Sequence, residues 1–143
     1  MDFVLVRYAH FIAIIVVFCM LTLEHVLVKE KLSPEEIKKI VFFDLIYGIS
    51  ALIVLAAGLT LWLAVGKPAG FYSANPIFHA KLTLFILTGL ISLYPTRFFL
   101  KQRKSSDPVI AIPKGIVITI RLELTLLLIV LLLAVLMAQG YGL

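Results

Sequence analysis

The chain has 143 residues, 62% of them hydrophobic and 15% charged, and its mean hydropathy is +1.12. Soluble domains are about half apolar and about a quarter charged. The composition therefore sets aside a water-soluble enzyme and marks an integral membrane protein. The net charge of +5 sits in short segments beside apolar runs, where it reports topology, so no nucleic-acid partner is expected.

Four apolar runs, approximately 3–23, 41–65, 77–99 and 116–138, are each long enough, at about 20 residues, to cross a hydrocarbon core about 30 Å thick. They fill most of the chain, so residues 1–143 are expected to form a single four-span transmembrane domain. Before the first run, Met1-Asp2-Phe3 offers no basic n-region, and no small-x-small cleavage site follows Leu23. The run is read as a retained helix rather than a signal peptide. It contains the lone Cys19, so neither a disulfide framework nor a thiolate cluster is available, and no C-x-x-C-H haem attachment exists. In the next segment, Ser33-Pro34-Glu35-Glu36 has a capping serine, a proline at the first position and acids in the first turn. That pattern predicts an interfacial turn leading into span two. Pro68, Gly70, Asn75 and Pro76 punctuate the following loop, and Asp107-Pro108 and Pro113 the last one. The Leu-rich stretch 126–133 is expected to face lipid.

Segment 24–40 carries Lys29, Lys31, Lys38 and Lys39, and segment 97–114 carries Arg97, Lys101, Arg103, Lys104 and Lys114, whereas 66–76 has only Lys67. The positive-inside rule puts the two basic loops in the cytoplasm. The expected fold is all-α: an integral membrane four-helix bundle, up-down-up-down, with both termini on the extracytoplasmic side of a bacterial inner membrane. Tyr8, Trp62, Tyr72, Tyr94 and Tyr141 form its aromatic belts. Four thin spans leave little interior for many polar groups, so a homo-oligomer in contact with membrane lipid is expected.

Charges inside spans are costly and persist with a partner, a cavity or a nearby interface. Here they fall into two layers. Toward the termini lie Arg7 and His10 on span one and His79 and Lys81 on span three, near Trp62 and Tyr72. Toward the basic loops lie Glu24 and His25, Asp44 and Tyr47, Tyr94 and Arg97, and Arg121 and Glu123. At about 100° per residue, Arg7, His10, Val17 and Glu24 share one stripe of span one. Asp44, Tyr47, Gly48, Ala51, Gly58 and Trp62 share a face of span two that is small along its length, as closely packed membrane helices require. Lys81, Thr88, Ser92 and Pro95 share a face of span three. His79 lies about 200° from Lys81, so Lys81 is expected inside the bundle and His79 elsewhere. Alternatives stay open at each position: Arg7 and Lys81 either snorkel to headgroups or face the interior, and His10 is either a satisfied bundle histidine or a ligand. Glu24, Asp44, Arg121 and Glu123 are expected as a structural ion-pair layer, although the same acids are placed to relay protons.

The strings DLIYGISALIVLAAGLTLWL and FYSANPIFHAKLTLFILTGLISLYPTRFFLK resemble the DUF2214 family of small bacterial predicted membrane proteins. The likeness rests on Asp-x-x-Tyr-Gly opening span two, the Phe-Tyr-x-Ala-Asn-Pro loop, Ala-Lys-Leu in span three and the Tyr-Pro-Thr ending. Arg7-Tyr8-x-His10-Phe11 and Arg121-Leu122-Glu123 extend it over nearly the whole chain. More distantly, the chain is similar to the HemJ-type protoporphyrinogen oxidases, which place a histidine early in the first span and a lysine in a later one, as His10 and Lys81 do here. The arginine they carry near the far end of that span is replaced by Glu24-His25. CopD-like copper-resistance membrane proteins are similar at a comparable distance.

The HemJ-like resemblance implies a haem-dependent oxidoreductase. It would bind haem b through His10, with Arg7 and Lys81 near the propionates or substrate and a porphyrin or quinone-type small molecule as partner. Such a site needs imidazole, an apolar slot and cations. His79 becomes a second axial ligand if span three is rotated. The competing class is an ion or copper transporter, and a non-catalytic scaffold comes third. Copper prefers converging Met and His, whereas Met1, Met20 and Met137 are scattered.

Overall fold

The computed structural model of the protein describes residues 2–65 and 67–142. In chain order these form α1 (Asp2–Leu27), a two-residue strand β1 (Lys31–Leu32) and α2 (Pro34–Thr60), which ends in a π-helical turn (Leu61–Val65). The short α3 (Ala69–Ser73), α4 (Pro76–Gln102), β2 (Ile110–Ala111) and α5 (Lys114–Ala138) follow. Among the described residues, four helices are long and apolar enough to cross a membrane. At 25 to 27 residues for α1, α2, α4 and α5, each spans about 38–40 Å, more than the hydrocarbon core of about 30 Å, so their ends reach the headgroup region. The protein is an all-α, four-helix membrane bundle.

Local chemistry explains where the helices begin. Ser33 Oγ accepts from Glu36 N at 3.3 Å while Ser33 N donates to Glu36 Oε1 at 3.1 Å, a capping box that satisfies two otherwise orphaned donors. The expected interfacial turn is consequently the first turn of α2 itself, and the second span starts at Pro34. Asn75 caps α4 by accepting from Ile77 N at 2.9 Å, and its Nδ2 donates to the Tyr141 carbonyl at 3.1 Å, which pins the C-terminal turn. Helix α4 also continues through the buried Pro95 to Gln102, past the expected end near 99. A proline missing one N–H is tolerated inside a membrane helix when neighbouring helices cover it.

The bundle consists of two hairpins. Helix α1 packs along α2 and α4 along α5, and the hairpins meet more sparsely through α2 with α4 and α1 with α5. At one end they are tied by the antiparallel pairs Lys31↔Ala111 and Leu32↔Ile110 and by Ile112 N donating to the Glu30 carbonyl at 2.9 Å. Two-residue strands carry no alternation pattern, so nothing in the sequence announced this clasp. Leu32, Ile37, Ile40, Phe99, Ile110, Ile116 and Ile120 are buried around it. Toward the termini the hairpins part and leave space.

The outer surface is apolar: Val4, Val26, Leu52, Leu63, Ile118 and Leu128 are among many exposed large side chains, as a lipid-facing surface requires. Within the Leu-rich stretch of α5, Leu128 and Leu132 face outward as expected, whereas Leu127 is buried at 3% exposure. The inward face of α2 is also narrower than expected: Asp44, Tyr47, Ser50, Val54 and Ala57 are buried, and Gly48 is exposed.

Candidate functional site

Between the hairpins, toward the termini, lies a partly open cavity of about 140 Å³ lined by His10, Val54, Gly58, Phe78 and Lys81. Val17, Phe85 and Leu127 form its floor, and most of its wall is apolar. The structure thus brings His10 of α1 and Lys81 of α4 to one site.

His10 is held by its backbone surroundings. Its Nδ1 lies 3.0 Å from the Val54 carbonyl oxygen. A carbonyl only accepts, so Nδ1 carries the hydrogen and Nε2 keeps a free lone pair. Gly58, one turn along α2, lets the ring come this close: a Cβ there would stand 3.3 Å from His10 Cε1. Lys81 Nζ lies 5.7 Å from the centre of the Phe78 ring and 3.9 Å from Met137 Sδ. The only ion pairs among the described residues are Lys29–Glu36 and Lys38–Glu35, so Lys81 faces the cavity without a carboxylate counter-ion. Phe78 is in turn braced by Trp62 and Tyr72, with ring centres 5.0 and 5.6 Å away, and Trp62 Nε1 donates to Ser73 Oγ at 3.0 Å.

His79 and Arg7 both lie outside this site, His79 as its helical angle relative to Lys81 predicts. His79 is exposed, and its Nε2 donates to the Ser73 carbonyl at 2.8 Å. Its position two residues before Lys81 turns it away from the cavity, so it cannot serve as the second axial ligand beside His10. Arg7 is exposed as well, with its guanidinium 5.8 Å from the Phe3 ring centre and 5.6 Å from that of Phe11, both on its own helix. The long side chain lies along α1, as snorkelling cations do, rather than beside His10.

The second polar layer also differs from the expected ion-pair network. Glu24, Asp44, Tyr47 and Glu123 are buried at 1%, 7%, 4% and 1% exposure. Arg97 and Arg121 are exposed, and Arg121 Nε donates to Nε2 of the half-buried His25 at 3.2 Å. Since Arg121 and Glu123 are about 200° apart on their helix, only one of them can face inward. Tyr47 Oη donates to Glu123 Oε1 at 3.1 Å, and Thr96 Oγ1 donates to Asp44 Oδ2 at 2.6 Å. Sequence reasoning missed Thr96; its place one residue after Pro95, on the face that buries Pro95 and Phe99, was the available signal. A groove of about 440 Å³ between α2 and α4 runs from Asp44 and Thr96 to Arg103, and it shares Val17, Phe85 and Leu127 with the His10 cavity.

Among the described residues, no three His, Cys, Asp or Glu side chains are placed to hold a metal ion together. Met137 lies against Lys81, Met20 packs on the apolar core, and Met1 is outside the described residues. Among the described residues, therefore, neither Met20 nor Met137 lines the cavity beside His10. What the cavity offers is one oriented imidazole, one ammonium and apolar walls, which together suit a largely apolar ligand with a single coordinating atom and an anionic group.

Residues 3–142 match the family model described as "Predicted membrane protein (DUF2214)". No curated protein and no solved structure matches the chain.

Proposed function

The chain belongs to that family of predicted membrane proteins, and from this premise we propose that it is a membrane redox protein that binds haem b through His10, in the cavity His10 shares with Lys81. The supporting observation is the bond from His10 Nδ1 to the Val54 carbonyl. Histidines that ligate metals usually donate their other N–H to a carbonyl or carboxylate, which fixes the tautomer and raises the basicity of the ligating nitrogen.

When bound, haem supplies one-electron chemistry at an iron tuned by its axial ligand and the polarity around it. The chain's own residues do the rest. His10 Nε2 would hold the iron, with the ring kept in place by its Nδ1 hydrogen bond to the Val54 carbonyl. Lys81 balances the charge of a propionate or of a substrate carboxylate, and the apolar walls exclude water. The donor set would hold haem through one imidazole. Size is more restrictive. The cavity, about 140 Å³, is near an engineered cavity of about 150 Å³ that takes benzene and below the roughly 300–1,000 Å³ typical of ligand pockets. A macrocycle would have to extend out of it on its open side. The excess of Lys and Arg in the segments around β1 and β2 supports a bacterial inner-membrane orientation with those loops in the cytoplasm.

Titrating haem into detergent-purified protein tests the proposal. Wild type and His79→Ala gain a Soret band, and His10→Ala does not. A wild type that stays colourless, or a band indifferent to His10→Ala, overturns it.

A further inference from the structure

A second cluster lies 14 residues from His10 along α1, about 21 Å away by helical rise. Helix α1 contributes Glu24, α2 contributes Asp44 and Tyr47, and α5 contributes Glu123, all buried. From α4 the facing group is Thr96, which does not titrate, while Arg97 of α4 and Arg121 of α5 are exposed and His25 is taken up by Arg121. No cation among the described residues pairs with any of the three acids. Asp44 and Glu123 each accept one hydroxyl hydrogen bond. Glu24 does not: its Oε1 is fully buried and has no hydrogen-bond partner, in a residue only 1% exposed.

That orphaned oxygen points to a missing hydrogen. Glu24 of α1 and Asp44 of α2 are both buried in a bundle where these two helices pack along one another. Ionised carboxylates only accept, so the two groups can bond only when one of them is protonated. Burying three bare negative charges without a cation is heavily unfavourable in an apolar interior, and bound protons remove that cost.

We propose that Glu24, Asp44 and Glu123 form a buried proton-binding site that exchanges with the β1–β2 side of the bundle through Asp44. Asp44 and Thr96 open onto the groove between α2 and α4, which reaches the exposed Arg103 just beyond α4, whereas Glu24 and Glu123 do not line it. From three protonated carboxyls, each release breaks one carboxyl O–H at Asp44 and forms one O–H on a water reaching it from the β1–β2 side, leaving a single negative charge within the cluster. Val17, Phe85 and Leu127 line both the groove and the His10 cavity. The proton site stands whether or not His10 binds haem.

Infrared difference spectroscopy of the lipid-reconstituted protein on transfer from H₂O to D₂O tests this. At neutral pH the wild type shows a protonated-carboxyl C=O band that moves to lower frequency on exchange, and the band is lost in the triple variant Glu24→Gln/Asp44→Asn/Glu123→Gln. Leu100→Trp narrows the groove between Thr96 and Arg103 and slows the exchange without removing the band. Absence of a protonated-carboxyl band from the wild type at neutral pH overturns the proposal. A band that persists in the triple variant overturns the assignment, and exchange as fast in Leu100→Trp as in wild type overturns the route. The wild-type spectrum decides the first point even if a variant fails to fold.

Discussion

His10 and Gly58 touch across the interface of α1 and α2: the space a Cβ would occupy on Gly58 begins 3.3 Å from His10 Cε1. The missing side chain on α2 is what lets the imidazole of α1 reach the Val54 carbonyl one turn away.

Enlarging Gly58 should therefore damage the site before the fold. In Gly58→Ala the gain in helix propensity, about 1 kcal/mol, roughly offsets the crowding, so the melting temperature stays close to wild type while the Soret band shifts. Gly58→Leu displaces the ring, costs about 1–3 kcal/mol through overpacking and abolishes haem binding. Parallel thermal melts and haem titrations check both outcomes.

Lys81 should read the charge of the ligand. Wild type is expected to bind haem about tenfold more tightly than its dimethyl ester, equivalent to roughly 1.4 kcal/mol and within the range of a hydrogen bond to a charged group. Lys81→Met should erase that preference while still binding the ester. Competitive titrations of the two porphyrins measure the ratio, and a preference surviving in Lys81→Met removes Lys81 from the site.

The spans were legible because runs of about 20 apolar residues have few other uses, and the meeting of His10 with Lys81 followed from their matching depth and helical angle. Arg7 shared the same stripe as His10, yet helical phase fixes only the Cβ direction, and a side chain this long can turn along its own helix to Phe3 and Phe11. The ion-pair layer failed for a reason the sequence contained: Arg121 and Glu123 are two residues apart, so they point to nearly opposite sides. The role of Tyr47 and Thr96 as donors to acids on or beside facing helices was out of reach, because it depends on the rotation of three helices about one another.

Tyr47 should matter to stability through its hydroxyl alone. Tyr47→Phe leaves buried Glu123 without its donor and is expected to cost about 1–3 kcal/mol. Adding Glu123→Leu to Tyr47→Phe should recover part of that loss, because the buried carboxyl left without its donor is then gone. Equilibrium unfolding in mixed micelles, run as a double-mutant cycle, gives the coupling.

Asn75 performs two separable tasks, capping α4 and holding the Tyr141 carbonyl. Asn75→Asp keeps the cap and loses the donor, with an expected cost of about 1 kcal/mol, whereas Asn75→Ala loses both, at about 2 kcal/mol. Equal losses in the two variants, measured by the same unfolding assay, would show that the cap contributes nothing.

The most direct test of the account is a ligand-rescue spectrum at His10. Detergent-purified wild type and His10→Gly are supplied with haem and recorded air-oxidised and dithionite-reduced, with and without free imidazole. The expected result is a Soret band with reduced α and β bands in wild type, their loss in His10→Gly, and their return when imidazole enters the space left by the side chain. A wild type that binds no haem, or a His10→Gly spectrum identical to wild type without imidazole, would contradict the assignment of His10 as the axial ligand.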